Sequence, residues 1–353
     1  MNAPVKAGQQ VRALDWRDAD ELRRIEGFVA EHAASLFHRP AWLQGVEVGT
    51  GQRAAGLVCE RLGVVTGWLP LTEVRSALFG KALVSSGFGV GGGMIADNPD
   101  AARVLARAAE DHAMRGGFAG IELRGGPVPE AWEAWNDRHC GFLRPLAHSD
   151  EAELNAIPRK ARAEVRKGLA LGHRVTIGRG ADDLAAHYAC YSASVRNLGT
   201  PVFPRRLFRA MLEAFPDSSD ILTVWDADTP LASVLSFYHE GAVMPFWGGG
   251  TFAARAARAN ERMYYELMLH ARARGMTCFD FGRSKTGSGP YAFKKNWGFA
   301  PQPLTYGAWT APGARARNID PTDAGYSRKI ALWKKLPLPI ANILGPWIAR
   351  GLA

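Results

Sequence analysis

The sequence predicts an α/β (α+β) protein made of two tandem domains of similar fold, each a mixed twisted sheet flanked by helices. Three observations carry that expectation. The chain has 353 residues, room for two domains of roughly 150 residues each. One order of elements (strand, strand, strand, glycine turn, helix, strand) occurs twice. Hydrophobic residues make up 47% of the chain and charged residues 22%, a balance that supplies a core to each half.

In the first half, residues 55–61 and 63–70 read as a hairpin. Residues 82–86 form a further apolar strand, and Gly91, Gly92 and Gly93 follow. A helix over 101–115 stops at Gly116 and Gly117 and leads into a strand over 120–124. In the second half, residues 221–225 and 231–238 read as a hairpin around Asp226-Ala227-Asp228. A strand over 243–247 runs into a turn at Gly248, Gly249 and Gly250. Asn260 suits the N-cap of a helix over 260–274, and Gly275 its end. Met263, Leu267 and His270, with Tyr264 and Met268, form its buried face. A strand over 277–281 closes the repeat. Between the halves, a linker over 145–157 leads to a helical hairpin over 158–171 and 182–196, with Pro158 at a first helical position. The expected divisions are residues 1–150, residues 151–315, and an amphipathic C-terminal tail over 316–353.

The balance is basic, 43 Lys+Arg against 34 Asp+Glu for a net charge of +9. Such a chain favours acidic partners: tRNA, phosphorylated precursors, or an anionic membrane face. Cys59, Cys140, Cys190 and Cys278 are scattered with no C-x-x-C pair, so neither a zinc site nor a disulfide framework is indicated. Reduced thiols fit the cytoplasm, and the first residues lack the apolar run of a signal peptide. No stretch reaches the ~20 apolar residues of a spanning helix. The nearest, 336–352, is broken by Pro337, Pro339 and Pro346. With Trp333, Lys334 and Lys335 ahead of it, this tail is suited to peripheral contact with the inner membrane or to packing on the body.

The chemistry concentrates in residues 279–299, FDFGRSKTGSGPYAFKKNWGF. Cations on a turn, beside glycines and walled by aromatics, suit an anion or a developing negative charge. Lys294 is the first candidate and Lys295 the second; adjacent lysines repel, which lowers the pKa of either. Arg283, after Gly282 at a strand end, is a candidate anion contact. Asp280 and Glu122 occupy equivalent strand positions, either as hydrogen-bonding anchors or to orient an attacking amine. Arg159, Arg162 and Arg166 share a helix face opposite Ile157, Ala161, Val165 and Leu169. That stripe suits successive phosphates, or is a solvated basic face. The loop over 197–204 follows a helix bearing Tyr188, Tyr191 and Ser194, and it nominates Tyr191 and Thr200 as substrate-lining residues. No G-x-S-x-G elbow, H-E-x-x-H or P-loop is present, and no metal is indicated. Residues 251–260 offer Arg255 and Arg258 but no glycines for a coenzyme A pyrophosphate loop, and residues 91–97 offer glycines but no base.

Three segments together resemble a known group: Pro158-Arg159-Lys160-Ala161-Arg162 with Val165-Arg166-Lys167; Gly199-Thr200-Pro201-Val202-Phe203-Pro204; and Phe279 to Ser284 through Phe293-Lys294-Lys295-Asn296-Trp297-Gly298-Phe299. Over residues 37–309 the chain resembles the FemAB-like, Fem-type aminoacyl/peptidyl transferases of GNAT-like (acyl-CoA N-acyltransferase-like) fold. Within them it is most similar to the subgroup associated with exosortase/PEP-CTERM systems. The resemblance implies a transferase in which Phe293 packs the donor and Lys294 stabilises the transition state. It implies an acyl or aminoacyl transferase forming an amide on a cell-envelope or exopolysaccharide precursor. The long coiled-coil arm that some members use for tRNA is absent. Two other expectations stand beside it: a GNAT-type N-acetyltransferase using acyl-CoA or acyl carrier protein, and a non-catalytic adaptor of exopolysaccharide or protein-sorting machinery. No cofactor is firmly implied; aminoacyl-tRNA and acyl-CoA are the candidate donors.

Overall fold

Apolar alternation in the hairpins and a helical period between the glycine clusters and the last strands generate the same arrangement twice. The computed structural model describes residues 8–315 and 324–352, the side chains of 324–328 excepted. The described chain divides into two units, one of residues 8–136, 305–315 and 350–352, the other of residues 137–304 and 324–349. The sequence places the division at 150/151; in the structure the strands within 139–145 pair inside the second unit, and the strand over 306–310 inside the first.

The first unit holds an eight-stranded mixed sheet. Arg53–Arg61, Val64–Ser76 and Gly80–Ser85 run as antiparallel neighbours, and Gly80–Ser85 pairs in parallel with Gly120–Arg124. The helix Pro99–Gly116 connects that parallel pair. Its N-cap Asn98 accepts a hydrogen bond from the Ala101 N–H, Pro99 opens the first turn, and Gly117 at φ +63° closes it. Ala101, Leu105, Ala109 and Ala113 are buried, one face at four-residue spacing, so the helix lies close against the sheet.

The second unit repeats the plan with a six-stranded sheet, ordered Arg174–Gly178, Ser219–Asp226, Thr229–His239, Ala242–Gly250, Cys278–Asp280, Leu143–Pro145. Its crossover helix is Ala259–Ala273. Four local expectations are corrected. Gly248, Gly249 and Gly250 are the end of a strand, because each pairs with Thr229–His239. The helix cap is Arg258, in the left-handed region at φ +51°, and Asn260 lies inside the helix. The helices Arg159–Ala170 and Ala181–Leu198 form no simple hairpin, since Arg174–Gly178 between them joins the sheet edge. Pro158 is the N-cap of the first of these helices, one residue outside it.

One core underlies this sheet. Phe142, Ile157, Val165, Met263, Leu267, Phe279, Phe281, Trp297 and Phe299 meet in it, all at most 5% exposed. His270, expected in the buried face, turns to Asp220 instead, with Nε2 2.9 Å from Oδ2. Of the expected tail, residues 316–323 lie outside the described residues. Residue 353 lies outside them too, and the described part of the tail contains the helices Ala324–Trp333 and Leu338–Ala349.

Candidate active site

Cys278–Asp280 runs parallel to Ala242–Gly250 but pairs with it only at Ala242↔Cys278 and Val243↔Phe279. Beyond Val243 the glycine-bearing strand stays paired with Thr229–His239, as far as Ala232↔Gly250. The chain leaving Asp280 turns away. Asp280 accepts the Gly282 N–H at 2.8 Å, and Gly282 takes φ +67°, a turn that a side chain would strain. The two parallel strands therefore part, and the residues that follow, 281–299, fold beside the split.

A short helix, Gly289–Asn296, presents the Phe-Lys pair. The Ser288 hydroxyl accepts from the Tyr291 N–H at its start, with Pro290 in the first turn. At its end Gly298 adopts φ +86°. The Phe299 N–H reaches the Lys294 carbonyl at 3.2 Å, and the Gly298 N–H reaches that of Lys295 at 3.0 Å. This is a Schellman ending, and it accounts for the glycine in K-x-x-W-G-F. Trp297 and Phe299, both in the core, anchor the helix by its C-terminal end.

Lys294 is only 8% exposed. Its Nζ donates to the carbonyls of Gly282 at 3.2 Å and Arg283 at 3.0 Å. It stands 5.3 Å from the ring centre of Phe142 and 5.7 Å from that of Phe281. An ammonium has three donors, so one N–H remains for a ligand. Burial lowers its pKa to about 8; Asp280 opposes that shift and Arg283 adds to it. Burial likewise pushes the Asp280 carboxyl up, against the Gly282 hydrogen bond and the Lys294 charge. Two opposite charges share a poorly solvated pocket, and desolvation outweighs their attraction.

The other sequence-nominated residues fall at several places. Phe293 packs on Phe281, Tyr264 and Trp297 at centroid distances of 6.1, 5.8 and 5.9 Å. Arg283 meets Lys294 through its backbone carbonyl. Lys295 is exposed, its Nζ 5.7 Å from the Tyr291 ring. Arg159 and Arg166 are exposed on their helix, whose cap Pro158 abuts Gly298. Arg162 is half-buried and donates to the Asn155 carbonyl and side chain at 3.2 and 3.0 Å, so it ties down the preceding helix. Tyr191 is buried, stacked on His187 and edge-on to Phe208. Burial raises its pKa. Thr200 is exposed on the turn after Gly199, its N–H bonded to the Val195 carbonyl. Its loop is covered in part by the C-terminal helix, where Gly345 lies against Val202.

Tyr264, whose helical spacing predicts a core position, is brought to the site by the structure. Its ring meets Phe281 at 4.8 Å and Phe293 at 5.8 Å. Its hydroxyl points at Gly248, where a Cβ would lie 3.4 Å away. That hydroxyl has no hydrogen-bond partner among the described residues, and burial raises its pKa to about 12. It is a neutral donor directed at the glycine strand. The signal for it is weak: a tyrosine one turn into a helix that follows three glycines.

The glycines themselves set distances. Alternate residues of a strand face opposite sides. Gly248 faces Tyr264, while a Cβ on Gly249 would meet Ser194 at 2.5 Å on the other side. Residues 251–258 form a single 3-10 turn, Ala253–Arg255, before Arg258.

Residues 158–295 match the acetyltransferase (GNAT) domain family. No curated protein matches the chain. Among solved structures, FemX is similar with a TM-score of 0.62 and 16% identity, over 81% of this chain and 95% of that one. A tandem GNAT protein from the clavulanic acid biosynthesis pathway gives 0.57 and 11%, over 87% and 100%. A C-terminal domain ascribed to a lysylphosphatidylglycerol synthetase of Agrobacterium fabrum gives 0.54 and 12%, over 82% and 92%. The structural matches show tandem GNAT-like domains as the fold of this chain, and the match of residues 158–295 to an acetyltransferase domain supports an acyltransferase.

Proposed function

We propose that the chain is a Fem-type transferase that forms an amide by moving an acyl or aminoacyl group onto an amine of a cell-envelope or exopolysaccharide precursor. The observation that carries this reading is the free third N–H of a buried Lys294 ammonium beside the split between the two parallel strands. In such a transfer the amine nitrogen bonds to the ester carbonyl carbon, and the carbonyl oxygen becomes an oxyanion. The tetrahedral centre then collapses, releasing the alcohol of the donor with a proton from the amine. Lys294 holds the oxyanion with a charge-assisted hydrogen bond that is strongest in that state. Phe293 and Tyr264 wall the donor. Arg159, Arg166 and Lys295, all exposed, supply positive charge for phosphates of the donor or acceptor. The FemX likeness supports the Fem-type fold; the aminoacyl donor and the envelope or exosortase-associated setting rest on the resemblance of the motif over 293–299 to the Fem-type transferases.

The GNAT family match favours a second reading, acetyl transfer from acyl-CoA. The absence of glycines from residues 251–260 weighs against it. Calorimetric titration of the full chain with acetyl-CoA and with aminoacyl-tRNA separates the two. Binding of aminoacyl-tRNA with no acetyl-CoA heat is the expected result, and tight acetyl-CoA binding alone overturns the Fem-type assignment. Lys294→Gln should cut single-turnover transfer by about 10²–10³-fold, as loss of an oxyanion donor does. Two lost Lys294 bonds also cost stability, so folding of the variant is checked by its near-ultraviolet circular dichroism. A folded variant with wild-type turnover removes Lys294 from the mechanism.

A further inference from the structure

The helix Leu338–Ala349 has two unlike faces. Ala341 and Gly345 are buried, and Gly345 lies so close to Val202 that a Cβ there would stand 2.9 Å from its side chain and backbone N. Asn342 reaches Ser192 of the helix Ala181–Leu198 at 3.5 Å. The small residues thus clamp the helix onto the second unit. The large ones point away: Ile340, Ile343, Leu344 and Trp347 are 45%, 75%, 45% and 51% exposed. Their spacing of three and four residues sets them in one stripe. Side chains of this size normally occupy a core, and an exposed contiguous stripe marks an interaction surface.

Charge says what covers it. Residues 324–353 contain Arg328, Lys329, Lys334, Lys335 and Arg350 and no Asp or Glu. Lys334 and Lys335, in the turn just before the helix, are exposed and have no carboxylate partner among the described residues. Apolar side chains with a tryptophan on one face, and unpaired lysines at the end, suit the boundary between lipid headgroups and acyl chains. No helix among the described residues is long and apolar enough to cross a membrane, so the geometry is that of a helix lying in the surface. We propose that Leu338–Ala349 docks this protein on an anionic lipid bilayer, with Ile343 and Trp347 entering the acyl boundary and Lys334 and Lys335 meeting lipid phosphates. The inference is independent of the transferase reading, since its test measures binding and not turnover.

The test is flotation of the purified full chain with vesicles of phosphatidylcholine alone and of phosphatidylcholine mixed with phosphatidylglycerol. The wild type should float with the mixed vesicles, less so in high salt, and weakly with the neutral ones. Ile343→Glu and Trp347→Glu, at exposed positions that leave the packed face intact, should each weaken partitioning by roughly tenfold or more. Lys334→Glu with Lys335→Glu should do the same through charge. Failure of the wild type to float overturns the proposal. So does undiminished flotation of Ile343→Glu and Trp347→Glu, which would leave charge alone at work. A wild-type dimer in sedimentation velocity that Ile343→Glu dissociates, without lipid binding, assigns the stripe to a second copy instead and equally overturns it.

Discussion

Lys294 carries the sharpest expectations because its environment acts on it in two ways. Burial lowers its pKa to about 8 from the usual 10.5, so the folded state disfavours the charge that the mechanism uses. If the ammonium holds the oxyanion, turnover falls as pH rises through about 8. In Lys294→Arg, whose guanidinium stays charged, that falling limb moves well upward. A general base at the same position would give the opposite slope, with rate rising through about 8, and the rate–pH profile decides between them. Stability carries a matching signature. A cation with a depressed folded pKa binds its proton more readily when unfolded. The wild type therefore gains stability as pH rises from about 8 towards 10.5, by up to about 1.4 kcal/mol per pH unit. Urea titrations of wild type and Lys294→Met across that range should show the slope in the first alone. The F-K-x-x-W-G spacing made Lys294 legible in the sequence. Its two carbonyl partners were not, because Gly282 and Arg283 reach it through a turn that only the left-handed φ of Gly282 allows.

At the scale of elements, what was legible followed from periodicity. The strand Gly120–Arg124 and the helix faces of Pro99–Gly116 and Ala259–Ala273 are written in residues two, or three and four, apart. Gly248, Gly249 and Gly250 misled because glycine alone suggests a turn. Their strand is imposed by the neighbouring Ala232, Ser233 and Val234, a tertiary effect that no local pattern contains. Their lack of side chains lets helices on both sides approach. Gly249→Ala should accordingly destabilise the protein by about 1–3 kcal/mol, since its Cβ would overlap Ser194. Pairing it with Ser194→Gly should recover part of that loss in thermal unfolding. The helix across from Gly249 holds a second sensor. His187 is fully buried, its Nδ1 3.2 Å from Ser233 Oγ, and burial lowers its pKa to about 3. Its unfolded form takes up a proton near 6.5, so stability falls as pH drops from about 6.5 towards 3. His187→Phe, which keeps the aromatic packing on Phe208, should lack that acid slope in denaturant titrations between pH 7 and 4, whatever its stability at pH 7.

At the scale of the whole molecule, the order of the chain sets which pieces can fold. Composition and the doubled pattern foretold two α/β units; the return of the chain into the first unit was not foretold. Tyr306–Thr310 lies between Gly120–Arg124 and Glu133–Trp135 and pairs with both. Those partners stand some 180 residues earlier, and neither alternation nor turn residues encode so distant a pairing. The consequence is measurable. A chain ending at residue 150 contains every strand of the first sheet except this one. Gly120–Arg124 would then expose an unpaired edge, and Trp132, 5% exposed in the core near Trp309, would lose that neighbour. Such a fragment should aggregate, or show little cooperative unfolding by circular dichroism. Adding residues 305–315 through a short flexible linker after residue 136 should restore a monomeric, cooperatively melting unit. A well-folded 1–150 fragment would show that the first unit does not need the returning strand.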